Sequence, residues 1–295
     1  MFRTIKNLPW KVGIVKYPFA GGQAKKGVEL TPDILINKYK NKNINIYSPV
    51  DIKSNNTTSE IIKNCKNLDV VSRSSYLLYQ DTIKSLKDNN FTLVVGGDHS
   101  QAIGSTAGVL KNNPNTLIIW FDAHPDLNTP TTSISKNMHG MPVSILAQLE
   151  NLKEFNWIKN KLSLENLLYL GVRDIDPGEK ELMEKYNIKY YTSNEINNTS
   201  IEKLIRSIDV IQKKYKNIHL SLDIDGIDPK YFPSTGTPVN QGVSIDFILK
   251  LISYLKKNQK FTSADLTEVN LNIGSLSDKN KTLKNSLKLI NKLLE

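Results

Sequence analysis

Short apolar runs alternate with amphipathic segments along most of this 295-residue chain. Several of the runs are apolar throughout, which is typical of strands that are covered on both faces. Strands are predicted on this basis at residues 11–15, 43–47, 92–95, 116–121, 167–171, 189–191, 218–222 and 261–265.

Other segments carry apolar residues at helical spacing. Residues 200–215 place isoleucine or leucine at positions 201, 204, 205, 208 and 211, behind Ser200 as an N-cap. Residues 244–257 and 282–294 behave in the same way. Strands that alternate with helices predict an α/β fold, in which helices cover both faces of a parallel sheet.

Several predicted strands are followed directly by acidic or imidazole side chains. These side chains are Asp98 and His99, Asp122 and His124, Asp174 and Asp176, Asp223 and Asp225, and Glu268. In open α/β sheets, ligands bind outside the carboxyl ends of the strands. The five groups are therefore predicted to meet at one edge of the sheet.

Two of these groups have the spacing of metal ligands. Asp122, His124 and Asp126 alternate, and an extended backbone would turn all three side chains to the same side. Asp223 and Asp225 repeat this spacing after another strand. Carboxylates and imidazoles gathered so densely are costly to bury unless a cation pairs with them.

With His99 added, the set contains four carboxylates and two imidazoles, enough for two ions that share ligands. A donor set dominated by oxygen, with one imidazole for each ion, suits Mn²⁺ better than structural Zn²⁺ or Mg²⁺. A metal pair activates water for attack on a poorly electrophilic carbon such as that of a guanidinium. Glu268 adds negative charge that attracts a cationic substrate, and His139 is the natural group to carry a proton to the departing amine.

The sequence resembles the manganese-dependent ureohydrolases, and within them the arginases. The resemblance runs from residues 18–23 (Pro-Phe-Ala-Gly-Gly-Gln) and 27–29 (Gly-Val-Glu) to residues 267–270 (Thr-Glu-Val-Asn). It implies one domain over residues 1–295, a three-layer α/β/α sandwich with a mostly parallel sheet of about eight strands. It also implies two Mn²⁺ ions. One is held by His99, Asp122, Asp126 and Asp223, and the other by Asp122, His124, Asp223 and Asp225.

Two further segments resemble those that distinguish arginases by substrate, and a third resembles a family loop that lines the site. Residues 126–140 imply that Asn128, Ser135 and Asn137 hydrogen-bond the substrate α-carboxylate. Residues 173–179 imply that Asp176 holds the α-amino group with Glu179 nearby, and residues 234–238 place Thr237 beside Glu268. Agmatinase-like relatives, whose substrate lacks the carboxylate, do not show the first two segments together.

The predicted reaction is hydrolysis of L-arginine to L-ornithine and urea, as in the urea cycle and other arginine metabolism. A hydroxide that bridges the two ions attacks the guanidinium carbon, Glu268 orients the guanidinium and His139 carries the proton. Asp126 is expected to serve catalysis as well as metal binding. Two alternatives stay open: a hydrolase of agmatine or another guanidino compound, and a regulatory subunit that binds metal and arginine without turnover.

Composition and charge restrict the partners and the cellular location that the sequence predicts. The net charge is +10, but the lysines are scattered without a basic block, so no specific nucleic-acid partner is predicted. A single cysteine, Cys65, cannot form an internal disulfide, and no apolar run approaches the roughly 18 residues of a membrane span. Basic residues at Arg3, Lys6 and Lys11 raise the question of a transit peptide, but strand-like sequence follows at once. A cytoplasmic enzyme is predicted, and the resemblance implies a homo-oligomer, either a trimer or a hexamer.

Several conspicuous residues are predicted to be structural. His219 is interpreted as a hydrogen-bonded core histidine, and Asp98, Asp228 and Arg173 as structural neighbours of the site. The tryptophans at positions 10, 120 and 157 are expected in the core or at its margin.

Overall fold

The apolar runs of the chain form one parallel sheet in the computed structural model, which describes residues 10–39, 43–49 and 61–295. Arg3 and Lys6 lie outside the described residues. The strands of this sheet are β1 (Val12–Tyr17), β2 (Ile44–Tyr47), β5 (Phe91–Gly96), β6 (Thr116–Phe121), β7 (Leu167–Val172), β8 (Lys189–Thr192), β9 (Asn217–Asp223) and β10 (Phe261–Thr267). A separate antiparallel pair is formed by β3 (Ile61–Ile62) and β4 (Cys65–Lys66).

Each predicted strand is confirmed, with ends that differ by at most two residues. β10, for example, continues to Thr267 instead of stopping at residue 265. The extra residues bring the strand ends directly to the polar motifs, since β9 ends at Asp223 and β10 ends immediately before Glu268.

The helices are α1 (Thr31–Ile36), α2 (Leu68–Asp88), α3 (Gln101–Asn112), α4 (Pro142–Leu146), α5 (Pro177–Lys185), α6 (Ser193–Asn197), α7 (Ile201–Gln212), α8 (Ile245–Lys256) and α9 (Leu276–Leu294). The predicted cap is confirmed, because the Ser200 side chain accepts a hydrogen bond from the backbone N–H of Lys203. Helix α9 begins six residues before the predicted start at 282. Its polar first turn is held by a capping box between Ser275 and Asp278. No helix in the described ranges combines the length and hydropathy that crossing a bilayer requires.

Two hydrophobic cores lie on opposite faces of the sheet and make the three layers. Leu93 and Val95 of β5 belong to one core, while Val94 between them belongs to the other. Helices α1, α7, α8 and α9 contribute to the first core, and α2, α3, α4 and α5 to the second. Buried apolar area of this extent on both faces is the main stabilising term of the fold.

The strand order gathers the polar motifs. The order across the sheet is β2-β1-β5-β10-β9-β6-β7-β8, with every neighbouring pair parallel. The strands that precede the acidic motifs, β5, β10, β9, β6 and β7, are therefore consecutive in the sheet. Their carboxyl ends form one continuous edge, as the sequence predicts.

Candidate metal centre and substrate cleft

The first ligand group surrounds one nitrogen of His99. Its Nδ1 lies 2.9 Å from an oxygen of Asp122, 2.9 Å from an oxygen of Asp126 and 3.2 Å from an oxygen of Asp223. All four side chains are buried. Four donors from three different strand ends thus face one point, and His99, Asp122 and Asp223 have the separations of a metal-binding group.

The second ligand group shares Asp122 with the first. The His124 Nδ1 atom lies 3.4 Å from Oδ1 of Asp122 and 3.2 Å from Oδ2 of Asp225. Asp122, His124 and Asp225 together have metal-binding separations. Because Oδ1 of Asp122 faces His124 and Oδ2 faces His99, this carboxylate lies between the two groups.

The prediction that an extended backbone brings these side chains together is wrong in part. The segment after β6 does not stay extended, because Asp126 adopts a left-handed backbone with φ of 50°. After β9, residues Ile224–Gly226 form a 3-10 turn, and the Asp223 side chain accepts a hydrogen bond from the N–H of Asp225. Turns that follow the strands, rather than strand periodicity alone, bring these side chains together.

The two groups have the chemistry of cation sites. A single imidazole N–H cannot serve three carboxylates, and neither Nδ1 of His99 nor Oδ2 of Asp126 has a well-formed hydrogen bond within the described residues. Adjacent ligands around an octahedral ion with bonds of about 2.1 Å lie about 3 Å apart, close to the 2.9–3.2 Å found around His99. Oxygen-rich donors with one imidazole fit a hard or borderline divalent ion.

Electrostatics favours positive charge at the same point. Burial lowers the pKa of the His99 imidazole, but the close contacts with the Asp122 and Asp126 carboxylates outweigh burial and hold that pKa well above its usual range. Burial and the charge of Asp122 raise the pKa of Asp126 to about 6. The buried negative charge of the cluster therefore favours a bound cation, because protonation neutralises that charge only in part.

Both histidines are oriented by contacts at their second nitrogen. Nε2 of His99 lies 3.0 Å from the Ser221 hydroxyl, and Nε2 of His124 lies 3.5 Å from Asp174. The His99 ring also stacks on Trp120, with centroids 4.4 Å apart. Such contacts fix the tautomer of a ligating histidine. The sequence predicts no role for Ser221, and for Asp174 it predicts only a position at this edge of the sheet.

His139 and Glu268 form a pair beside the ligand groups. Their closest atoms, His139 Nδ1 and Glu268 Oε1, are 3.4 Å apart. Burial lowers the pKa of His139, whereas its hydrogen bond to Glu268 and the charge of that carboxylate raise it, with a net upward shift. His139 is thus placed to hold a proton near the centre.

A cavity of about 200 Å³ opens onto the ligand groups. Most of the residues predicted to contact substrate line it, namely Asn128, Ser135, Asp176, Glu179 and Thr237, together with His139. Asn137 and Glu268 are not among the lining residues. The Asn137 side chain instead accepts a hydrogen bond from the Lys66 ammonium at 3.1 Å, and Glu268 is 1% exposed.

The acidic wall of the cavity is organised by helix α5. Asp176 is its N-cap and forms a capping box with Glu179, and the Asn128 amide donates to Asp176 at 2.9 Å. Burial raises the pKa of Glu179 to about 8. Burial therefore disfavours the charged form of Glu179, and the more exposed Asp176 is the better candidate to hold an ammonium group.

The residues predicted to be structural make structural contacts. Arg173 donates hydrogen bonds to five backbone carbonyls, those of residues 171, 225, 226, 239 and 240. Asp98 accepts from the N–H groups of Gly22 and Ser100. His219 is fully buried and hydrogen-bonded to Ser263 and Asp265.

Comparison with known proteins provides independent evidence on the family of this chain. A model of the arginase family matches residues 10–294. The chain is 34% identical to arginase-1 of Homo sapiens over 279 residues, covering 89% of this chain and 86% of that protein. It is 34% identical to arginase of Bacillus subtilis over 290 residues, covering 96% and 97%. Among solved structures, Entamoeba histolytica arginase in complex with L-ornithine matches with a TM-score of 0.87 at 34% identity, covering 96% of this chain and 98% of that chain.

Proposed function

This chain belongs to the arginase family, and from that premise we propose that it hydrolyses L-arginine to L-ornithine and urea. The observation that carries the proposal is the pair of ligand groups around Asp122, which open into a cavity lined by carboxylates. Although the net charge of the chain is +10, this cleft is locally negative and suits a guanidinium.

The cofactor in this proposal is a pair of Mn²⁺ ions. His99, Asp122, Asp126 and Asp223 would hold one ion, and Asp122, His124, Asp223 and Asp225 the other. The distances around His99 and His124 support these two sets. When bound, such a metal pair supplies activated water for attack on the guanidinium carbon.

The protein side chains bind and orient the substrate around that centre. Asn128, Ser135 and Asn137 would hydrogen-bond the α-carboxylate, while Asp176, with Glu179 nearby, would hold the α-amino group. The position of four of these five residues on the cavity wall supports this assignment. Thr237, which donates to Asp225 at 3.0 Å, lines the side of the cavity where the guanidinium would lie.

His139 and Glu268 have distinct proposed roles. The Glu268 carboxylate orients the guanidinium, and His139 delivers a proton to the amine that departs as ornithine. Burial raises the pKa of Glu268, but its hydrogen bond to His139 and the charge of that histidine leave the net shift downward. A group held ionised in this way can pair with a cation. Asp126 is assigned to catalysis as well as to metal binding because its carboxylate lines the cavity.

The proposal also covers the location, the oligomeric state and the partners of the enzyme. We place it in the cytoplasm, as a homo-oligomer (a trimer or a hexamer) formed by a single ureohydrolase domain over residues 1–295, with no specific nucleic-acid or membrane partner. The family match over residues 10–294 supports the single domain.

A urea-release assay with Mn²⁺-loaded protein at alkaline pH tests the activity. Arginine is expected to yield urea and agmatine little, because agmatine cannot use the contacts of Ser135 and Asn128. Ser135→Ala should raise KM for arginine about tenfold, the loss expected for one hydrogen bond to a charged group. Thr131→Ala, at an exposed position of the same loop and absent from the cavity wall, is the matched control. Absence of urea from arginine would refute the proposal, and faster release from agmatine would favour the alternative substrate.

A further inference from the structure

Glu268 is held in an unusual backbone conformation. It is the first residue after β10, and its φ of 63° lies in the left-handed region that non-glycine residues seldom adopt. Its N–H donates to the carbonyl of Gly97 at 2.9 Å. Such a conformation is strained and persists only where the surrounding structure determines it. The direction of the Glu268 side chain is therefore imposed by its neighbours.

The Glu268 carboxylate is held at both of its oxygens. Oε1 accepts a hydrogen bond from the N–H of His99 at 2.9 Å and faces His139. Oε2 accepts a hydrogen bond from the side-chain amide of Gln23 at 2.7 Å. The terminal torsion of a glutamate is broad, so contacts at one oxygen alone leave the carboxylate plane free to turn. The bond from Gln23 fixes that plane.

The Gln23 amide contacts Glu268 in the space that the absent side chain of Gly236 leaves. Gln23 is only 7% exposed, so its amide is withdrawn from water. A Cβ atom at position 236 would lie 3.0 Å from Oε1 of Gln23 and 3.6 Å from Oε2 of Glu268. Gly236 thus leaves the space in which the amide and the carboxylate meet. The Lys25 ammonium donates to the Gly236 carbonyl and holds this loop against the segment that carries Gln23.

Gly22, the residue before Gln23, holds His139, the partner of Glu268. The carbonyl of Gly22 accepts a hydrogen bond from the N–H of His139 at 3.0 Å, and the N–H of Gly22 donates to Asp98 at 2.8 Å. A Cβ at position 22 would lie 2.6 Å from an oxygen of Asp98, so this close approach needs glycine. Residues 22 and 23 therefore hold His139 by its backbone and Glu268 by its carboxylate.

We propose that Gln23 is a positioning residue, whose amide sets the plane of the Glu268 carboxylate for the substrate guanidinium while Gly22 holds His139 in the same frame. This inference rests on the proposed roles of Glu268 and His139. A neutral amide suits the task because it donates one N–H without cancelling the carboxylate charge. A lysine at position 23 would neutralise that charge, and a glutamate would repel it.

The test compares Gln23→Leu, which removes the donor at similar size, with Gln23→Glu, which keeps the shape and reverses the polarity. Gln259→Leu, at an exposed glutamine, is the control. Steady-state turnover of arginine is measured beside the inhibition constant of L-ornithine, which has the amino-acid end but no guanidinium. Bound metal and unfolding temperature are measured for each protein.

Both Gln23 variants are expected to lose about tenfold or more in kcat/KM for arginine, since small misplacements of a catalytic group are costly. Their ornithine inhibition and metal content should stay within twofold of wild type. Three results would overturn the inference: wild-type kcat/KM in both variants, a proportional fall of arginine turnover and ornithine binding, or failure of both variants to fold. Each of these results assigns Gln23 no specific role toward Glu268. Inactivity of the wild-type protein would refute the proposed function instead.

Discussion

Asp122 is the residue that the two candidate ligand groups share. Its two oxygens face His99 and His124, and its position is fixed by hydrogen bonds from the Trp120 indole and from the N–H of His124. Asp225, in contrast, belongs only to the group around His124. The two groups can therefore be weakened separately.

Asp225→Asn should weaken one of the two ions. We expect bound metal to fall from two toward one per chain and urea release to fall about 100-fold or more, since loss of a ligand should exceed the 10–100-fold effect of its supporting contacts. Elemental analysis after dialysis measures the metal. Asp228→Asn is the control, because that carboxylate accepts from the Lys230 N–H and lies outside both groups. Two ions retained by Asp225→Asn would contradict the ligand assignment.

Glu179 predicts a pH dependence of stability. Its pKa is raised by burial from 4.5 to about 8, so between these values the folded chain keeps a proton that the unfolded chain releases. The stabilising contribution is complete below pH 4.5 and is lost as pH rises toward 8, by at most about 1.4 kcal/mol per pH unit.

Glu179→Gln should therefore show a smaller fall in the free energy of unfolding between pH 5.5 and 7.5 than wild type. Denaturant titrations at several pH values provide the measurement. Glu181→Gln, at an exposed position of the same helix, should keep the wild-type slope. Equal slopes in wild type and Glu179→Gln would show that Glu179 is ionised in the fold.

At the scale of elements, the loops after the strands are joined by Arg173. Its guanidinium connects the end of β7 to the turn after β9 and to residues 239 and 240. A lysine ammonium has three donors at one point and cannot reach five carbonyls in this plane.

Arg173→Lys should lower the free energy of unfolding by about 1–3 kcal/mol, because one or two partly buried carbonyls are left without donors. Equilibrium unfolding at a fixed Mn²⁺ concentration measures it, because bound ligand adds stability of its own. Arg206→Lys, at an exposed position of α7, should change little. A similarly small change for Arg173→Lys would refute the structural role.

The elements that could be predicted are those with a strong local signal. The strands covered on both faces are nearly continuous apolar runs, and α7 and α8 carry apolar stripes behind serine caps. Helix α3 was not predicted because its first ten residues, Gln101–Leu110, are all buried, so no polar face marks its period.

The site was predictable where ligands cluster in sequence and not where the fold alone brings residues together. The six metal-ligand candidates follow strand ends, which parallel pairing brings to one edge. The turn at Asp126 depends on a left-handed backbone torsion. Two other contacts join segments that are distant in sequence, namely the hydrogen bond from Lys66 to Asn137 and the one from Gln23 to Glu268. Local patterns contain no information on such contacts.

For the whole molecule, net charge and local charge differ in sign. The chain carries +10, yet its cleft gathers Asp126, Asp174, Asp176, Asp223 and Asp225. Surface charges are screened over about 8 Å at physiological ionic strength, whereas charges in a cleft are screened less. The cleft, rather than the lysine-rich exterior, therefore determines which small molecule enters.

The central claim, that two cations share Asp122 between the His99 and His124 groups, is tested most directly by anomalous diffraction from Mn²⁺-loaded crystals. The account predicts two anomalous peaks about 3.5–4 Å apart, one beside Nδ1 of His99 and one beside Nδ1 of His124, with Asp122 touching both. A single peak, or peaks away from these side chains, would contradict it.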